Sequence, residues 1–202
     1  MPRTRTGSYP TGRRRRERIV EAAVAQFAER GYHRTSLAQI AAAAEITEGG
    51  LLHHFPSKRH LLLAVAEHRI EATATWWDEL GPAPSLADVL AHRARTMARF
   101  LDQPGLIQLN VLAAAEAADP SSPAHAALAD RYRAAVDGLA AILERCTDRA
   151  SLPAGTDCTA LAREFVAVSD GLQLQWVLSD GAIDLVAGIQ EHSRRFLPPA
   201  PT

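Results

Sequence analysis

Apolar residues recur along this chain with the spacing of a helix and almost never with that of a strand. From Arg13 to Arg30, Val20, Ala23, Val24 and Phe27 fall at i, i+3, i+4 and i+7, the stripe of an amphipathic helix. Gly31 ends it, as a C-terminal glycine should. A second, very short helix is predicted on Leu37, Ile40, Ala41 and Ala44, capped by Thr35 or Ser36. Thr47 is the next good cap, and a third short helix runs from Glu48 to about His54, until Pro56 stops it. Ser57 starts a fourth, which continues without a breaker to Gly81 and Pro82.

The remainder is punctuated by PAPS at 82–85, QPG at 103–105, DPSSP at 119–123, SLPAGTD at 151–157 and SDG at 179–181. Alanine- and leucine-rich segments with helical spacing lie between these breaks. Period-2 alternation and β-branched runs are nearly absent, so the fold class is all-α, with about nine helices and no internal repeat. Residues 1–12 (MPRTRTGSYPTG) contain nothing that fills a core and are expected to form a flexible basic arm.

Charge changes the picture once the chain is divided. The formal net charge is −1, but residues 1–60 carry +6 and the rest −7. A basic end on an acidic body fits a chain that touches a polyanion with one end only, although a lone charge run is more often a solvated face. Cys146 and Cys158 show no metal-binding spacing and are read as reduced. The basic N-terminus lacks the apolar run of a signal peptide, and no eighteen-residue apolar stretch exists, which predicts a soluble, cytoplasmic protein without a membrane role. The histidines do not form HExxH, and no nucleophile elbow or phosphate loop is present, so neither catalysis nor a metal or other cofactor is expected.

Helix, turn, very short helix, tight turn, short helix on the basic end is the arrangement of a helix-turn-helix DNA-binding unit. The competing reading, the corner of a larger bundle, is disfavoured because the third helix has few apolar residues and a polar side of Thr47, Glu48, Gly50 and His53. The residues RIVEAAVAQFAERGYHRTSLAQIAAAAEI followed by TEGGLLHHFPSKRHLLLAV resemble the N-terminal domain of the TetR family of bacterial transcription regulators, over residues 13–60. The family's T-x-x-x-I-A, recognition helix and F-x-S-K ending are matched nearly throughout.

The resemblance implies specific roles. Thr35, Thr47 and Lys58 match positions that meet DNA phosphates, and Lys58 is the chain's sole lysine. His53 stands where the family most often has a phosphate-bonding tyrosine, and His54 matches a common family histidine. Gly50 occupies a base-touching position, so that contact is missing or made by backbone. Each of Gly49 and Gly50 costs roughly 1 kcal/mol in a helix interior, which is tolerable where the lost bulk lets the backbone approach DNA. Leu52 fits either a thymine-methyl contact or core packing, and packing is preferred. Glu48 is either a reader of cytosine N4 or a first-turn acid favoured by the helix dipole. Glu45 stands where many members have glycine in the turn, so a left-handed backbone there carries strain of about 1–2 kcal/mol. Arg13, Arg14, Arg15 and Arg16 suit phosphates or a narrow minor groove, the bland alternative being a solubilising tail.

From residue 61 to 202 the resemblance is architectural and implies a helical effector-binding and dimerisation domain. Two apolar stripes, Leu161, Phe165, Val168, Leu172 and Leu185, Ile189, Phe196, fit a four-helix bundle between two subunits, although a monomer core explains them equally. Homodimerisation places two recognition helices about one DNA turn, roughly 34 Å, apart on a near-palindromic duplex. A pocket for a small, largely apolar effector is expected among residues 85–178, with His92, Met97, Phe100, Gln108, Asn110, Tyr132, Gln173 and Trp176 as lining candidates, while Trp76 and Trp77 fit either a pocket wall or hydrophobic anchoring, and anchoring is preferred. The function implied is a repressor released from DNA by that effector. The alternatives are a constitutive or activating regulator, a helical interaction protein and an enzyme.

Overall fold

A computed structural model describes residues 8–149, 152 and 155–197, the side chains of 8–11 and 69–75 excepted. Among them the chain forms nine α-helices and no strand: α1 (Ser8–Arg30), α2 (Leu37–Ala43), α3 (Glu48–His54), α4 (Lys58–Ala74), α5 (Leu86–Leu101), α6 (Pro104–Ala117), α7 (His125–Glu144), α8 (Cys158–Leu178) and α9 (Leu185–Arg194). The fourth helix does not run unbroken to Gly81, because its end tightens into a 3-10 segment over Thr75–Leu80. Helix α1 starts at Ser8 rather than Arg13, since Pro10 falls in its first turn, where a missing N–H costs nothing. Residues 8–12 of the expected flexible arm therefore belong to a helix, and residues 1–7 of that arm lie outside the described residues.

Local chemistry sets the helix starts. Ser36 accepts from the Gln39 N–H at 3.2 Å while the Gln39 side chain accepts from the Ser36 N–H at 2.8 Å, a reciprocal capping box. Ser85 and Asp88 repeat it on α5, and Asp157 and Asp184 cap α8 and α9. Gly31, at φ +79°, closes α1 by donating to the Phe27 carbonyl at 2.9 Å.

The expected boundary at residue 60 is not a boundary in packing. One cluster of buried side chains runs from Ile19 and Phe27 of α1 through Ile40, Leu51 and Phe55, then Leu61 and Leu62 of α4, to Leu106 and Leu109 of α6. A second joins α5, α7 and α8 around Leu86, Val89, Leu143 and Phe165. A third places Met97, Ile107, Leu185 and Ile189 between α5, α6 and α9. Helix α6 reaches α1 through Gly105: a Cβ there would lie 2.6 Å from the Ala28 carbonyl oxygen and 2.8 Å from that of Phe27. Only glycine permits this backbone-to-backbone approach.

Candidate DNA-binding surface and ligand cavity

Helix α3 is held by one fully buried side chain, Leu51, whose burial stabilises it by about 1.5–3 kcal/mol. Thr47 caps it, its Oγ1 accepting from the Gly50 N–H at 3.1 Å. The outward face is Glu48, Gly49, Leu52 and His53, all exposed, and nothing stands within 4 Å of a Cβ built on Gly49. Leu52 is 38% exposed, so the packing preference is corrected: with Leu51 filling the core, a residue one position on points the other way on a helix of 3.6 residues per turn.

Thr35 also departs from expectation. It is 2% exposed, and its hydroxyl donates to the Gly31 carbonyl at 2.9 Å, with the Gln26 carbonyl at 3.2 Å. The side chain fastens α2 to the end of α1 and presents nothing to a phosphate. Ser36, the actual cap, is the exposed hydroxyl at that helix start.

The cations are only partly free. Lys58 Nζ sits 4.4 Å from the Tyr32 ring centroid and donates to the His33 carbonyl at 3.4 Å, and burial lowers its pKa. Arg13 pairs with Glu17 at 3.3 Å, and Arg16 lies over the Phe55 ring at 4.3 Å. His54 is pushed below the usual histidine value by burial first, then by His53, Arg15 and Arg16, which places these groups on one electropositive face. Arg18, absent from the sequence-based candidates, donates to the Ala44 carbonyl at 2.7 Å and so neutralises the C-terminal end of α2. Glu45 adopts φ +56° in the turn before α3, so the family-like left-handed turn is kept without its glycine.

A cavity of about 180 Å³ lies between α5, α6, α7 and α8. Met97, Phe100, Asn110, Tyr132 and Gln173, all singled out above, line it. His92, Gln108 and Trp176 do not. The His92 ring is fully buried 4.9 Å from that of Trp77, with no partner for either nitrogen and a pKa lowered chiefly by burial. Gln108 is exposed beside Gly31, and Trp176 packs over Gly181. Trp77, for which anchoring was preferred over a place in the wall, forms part of the wall, as do Arg93, Thr96, Arg131, Ser169 and Asp170, which the sequence does not single out. The available signal was the α8 row Phe165, Ser169, Gln173, which carries polar residues at core spacing.

Arg93 is 5% exposed and its guanidinium is held in place: it donates to the Phe165 carbonyl and to Ser193 Oγ, each at 3.2 Å, and stacks 3.9 Å from the Phe165 ring centroid. Burial lowers it to about 10, which leaves it charged at neutral pH. Asp170 is raised to about 6 by burial, offset in part by the Tyr132 hydroxyl, whose own pKa rises.

The residues expected at a dimer interface are used within the chain. Leu161, Phe165, Leu185 and Ile189 are at most 6% exposed, Phe196 packs edge-on against Phe165 at 5.2 Å, and Val168 and Leu172 join the third cluster, with Leu172 against Gly188 of α9. Helical periodicity finds the strongest apolar stripe, and that stripe fills the subunit's own core. A second, thinner stripe on α8 stays exposed: Ala167, Leu174 and Leu178, with Gly171 half-buried among them and Leu178 75% exposed.

A capped short helix pinned by one leucine beside a basic first helix, joined through α4 and α6 to a cavity-bearing helical body, defines a helix-turn-helix regulator with a ligand-type domain. The model for bacterial regulatory proteins of the tetR family matches residues 19–65, and that for the BetI-type transcriptional repressor C-terminal domain matches residues 106–198. The A-factor receptor protein of Streptomyces griseus is 28% identical over 185 residues, covering 89% of this chain and 61% of that protein. The transcriptional regulator TtgR of Pseudomonas putida is 25% identical over 186 residues, 87% of this chain and 86% of that one. The structure of FadR from Bacillus subtilis in complex with stearoyl-CoA shares the fold, with a TM-score of 0.71 and 19% identity over 89% of this chain and 96% of that one. The chain belongs to the TetR family of transcriptional regulators, which are not enzymes. No helix among the described residues is long and apolar enough to cross a membrane, and no cluster there is suited to a metal ion.

Proposed function

We infer that the protein is a homodimeric repressor that binds a near-palindromic duplex through α2 and α3 of each subunit and is released by a small, largely apolar effector entering the α5–α8 cavity. The observation that carries this is the outward face of α3, where Glu48, Gly49, Leu52 and His53 project from a helix whose only buried side chain is Leu51. On that face Leu52 meets a thymine methyl and Glu48 accepts from cytosine N4, while the bare Gly49 lets the backbone come close. Ser36, Thr47, His53, His54, Lys58 and the Arg13–Arg16 cluster meet phosphates, in line with the +6 charge of residues 1–60. The α8 stripe of exposed Ala167, Leu174 and Leu178 with half-buried Gly171 among them supports pairing of subunits about a two-fold axis, its small residues allowing close helix approach.

The effector acts by preferring a conformer with the wrong separation of recognition helices, and the coupling cannot exceed its difference in affinity for the two conformers. Helices α4 and α6, which share a core with α1, carry the displacement. Selection from a random duplex pool, followed by titration of the best duplex at several salt concentrations, tests the reading. A near-palindromic winner bound tightly with a steep salt dependence supports it. No enrichment above background refutes operator recognition by the apo protein.

A further inference from the structure

The cavity has an uneven supply of donors and acceptors. Gln173 is 3% exposed and its Nε2 donates to the Ser169 carbonyl at 3.2 Å, which fixes the amide and leaves Oε1 without a partner. One turn away on the same helix, the Asp170 carboxylate is served by the Tyr132 hydroxyl. Opposite them, Thr96 Oγ1 on α5 has no partner. The cationic wall does not meet this need: Arg93 is committed to Phe165 and Ser193, and Arg131 donates to the Glu67 carbonyl at 3.1 Å. Apart from Asn110 of α6 and Ser169, whose hydroxyl donates to the Phe165 carbonyl, the remaining surface is aromatic and apolar, with Trp77, Phe100 and Met97 among its walls.

A buried acceptor without a donor costs about 1–3 kcal/mol, so a ligand that supplies the donor gains what the free protein forgoes. The Asp170 carboxylate, among aromatic faces, offers positive charge an ion pair and cation–π attraction, which must outweigh the charges of Arg93 and Arg131 in the same wall. The volume suits a small ligand: a dry cavity of about 150 Å³ holds benzene, and this one, at about 180 Å³, has room for a single ring with a short arm. We propose that the cavity binds a compact aromatic or aliphatic amine, its ammonium N–H groups donating to Asp170 and to the orphaned Oε1 of Gln173 while its apolar body lies against Trp77 and Phe100. This rests on the cavity being the effector site of the repressor described above. A quaternary ammonium has the charge but no N–H, and leaves Gln173 unsatisfied.

Isothermal titration of the full-length protein with phenethylamine, 2-phenylethanol, 3-phenylpropanoate and phenethyltrimethylammonium tests the assignment. Phenethylamine binds about tenfold or more tightly than the other three, the preference expected of a charge-assisted hydrogen bond. Asp170→Asn removes about tenfold of the phenethylamine affinity and leaves 2-phenylethanol within about twofold. Gln173→Leu, a second variant that does not touch the carboxylate, narrows the gap between phenethylamine and its trimethylated form. Equal or tighter binding of the alcohol or the carboxylate overturns the proposal, as does no measurable amine binding, or amine affinity unchanged in both variants. Titration of the selected operator separates the two readings. Amine binding that follows Asp170 but leaves DNA affinity unaltered upholds the ligand class and refutes effector release. Release by the alcohol or carboxylate, with no preference for the amine, does the reverse.

Discussion

Replacing Asp170 by Asn at the cavity wall is expected to stabilise the empty protein, and by an amount that depends on pH in a fixed direction. Burial raises the Asp170 carboxyl from 3.8 to about 6, with the Tyr132 hydroxyl pulling the other way. Since the folded pKa is the higher one, the native state holds a proton that the unfolded state has released between these values. Stability from this group is therefore complete below about pH 4 and falls as pH rises through about 6. At about 1.4 kcal/mol per unit, a shift of roughly two units amounts to about 3 kcal/mol lost at neutral pH. Asparagine keeps the shape and still accepts from Tyr132, but carries no charge to desolvate. Urea denaturation of both proteins, at one protein concentration from pH 4 to 8, isolates the effect as a difference, because the depressed carboxylates Glu79, Asp88 and Asp119 titrate alike in both. The two proteins are expected to agree near pH 4, with the variant ahead by about 2–3 kcal/mol at pH 7.5. A difference that does not vary with pH, or a variant less stable at pH 7.5, refutes the desolvation argument.

Three further outcomes follow from the geometry of the DNA-binding end. Glu45→Gly relieves a left-handed backbone at φ +56° and raises stability by about 0.5–1 kcal/mol after the added freedom of the unfolded chain, read as a higher Tm; a lower Tm contradicts it. Gly105→Ala forces α6 away from the α1 carbonyls and costs about 1–3 kcal/mol in denaturant titration, whereas an unchanged midpoint contradicts the close approach. His54, depressed in the free protein, gains a phosphate neighbour on binding and takes up a proton. Operator affinity therefore rises as pH falls from about 7.5 to about 5.5, and His54→Gln flattens the profile; a wild-type profile already flat over that range counts against the contact.

The helix-turn-helix was legible because its signals are local. Ser36 and Thr47 are cap residues three positions before a backbone N–H that they accept, and Gly31 stands where a helix must end. What failed was whatever depends on which way a side chain turns once the helices pack. Thr35 and Ser36 are adjacent hydroxyls that can both cap a helix, and only the position of α1 turns one inward. Leu51 and Leu52 are indistinguishable by type, yet one is fully buried and the other faces outward. In the second half, periodicity located the stripes of α8 and α9 correctly but could not say whether a partner or the chain's own α5 and α7 would cover them. Five of the eight proposed lining residues fall on the cavity because polar side chains at core spacing need a cavity or a partner. Asp170 was missed because helical spacing alone does not distinguish an acid turned into a cavity from one turned to solvent.

The placement of Lys58 has a practical consequence for watching the protein at work. The chain holds one ε-amine, and that amine rests over Tyr32 against the His33 carbonyl, with its pKa lowered by burial. An amine held below its ordinary pKa exposes more of its nucleophilic free base near neutrality, so an acylating reagent used at limiting dose modifies a single side chain, apart from the α-amino terminus. Under the proposed contact a phosphate seated at Lys58 shields it, so the extent of acylation would read operator occupancy in a native protein carrying no introduced label.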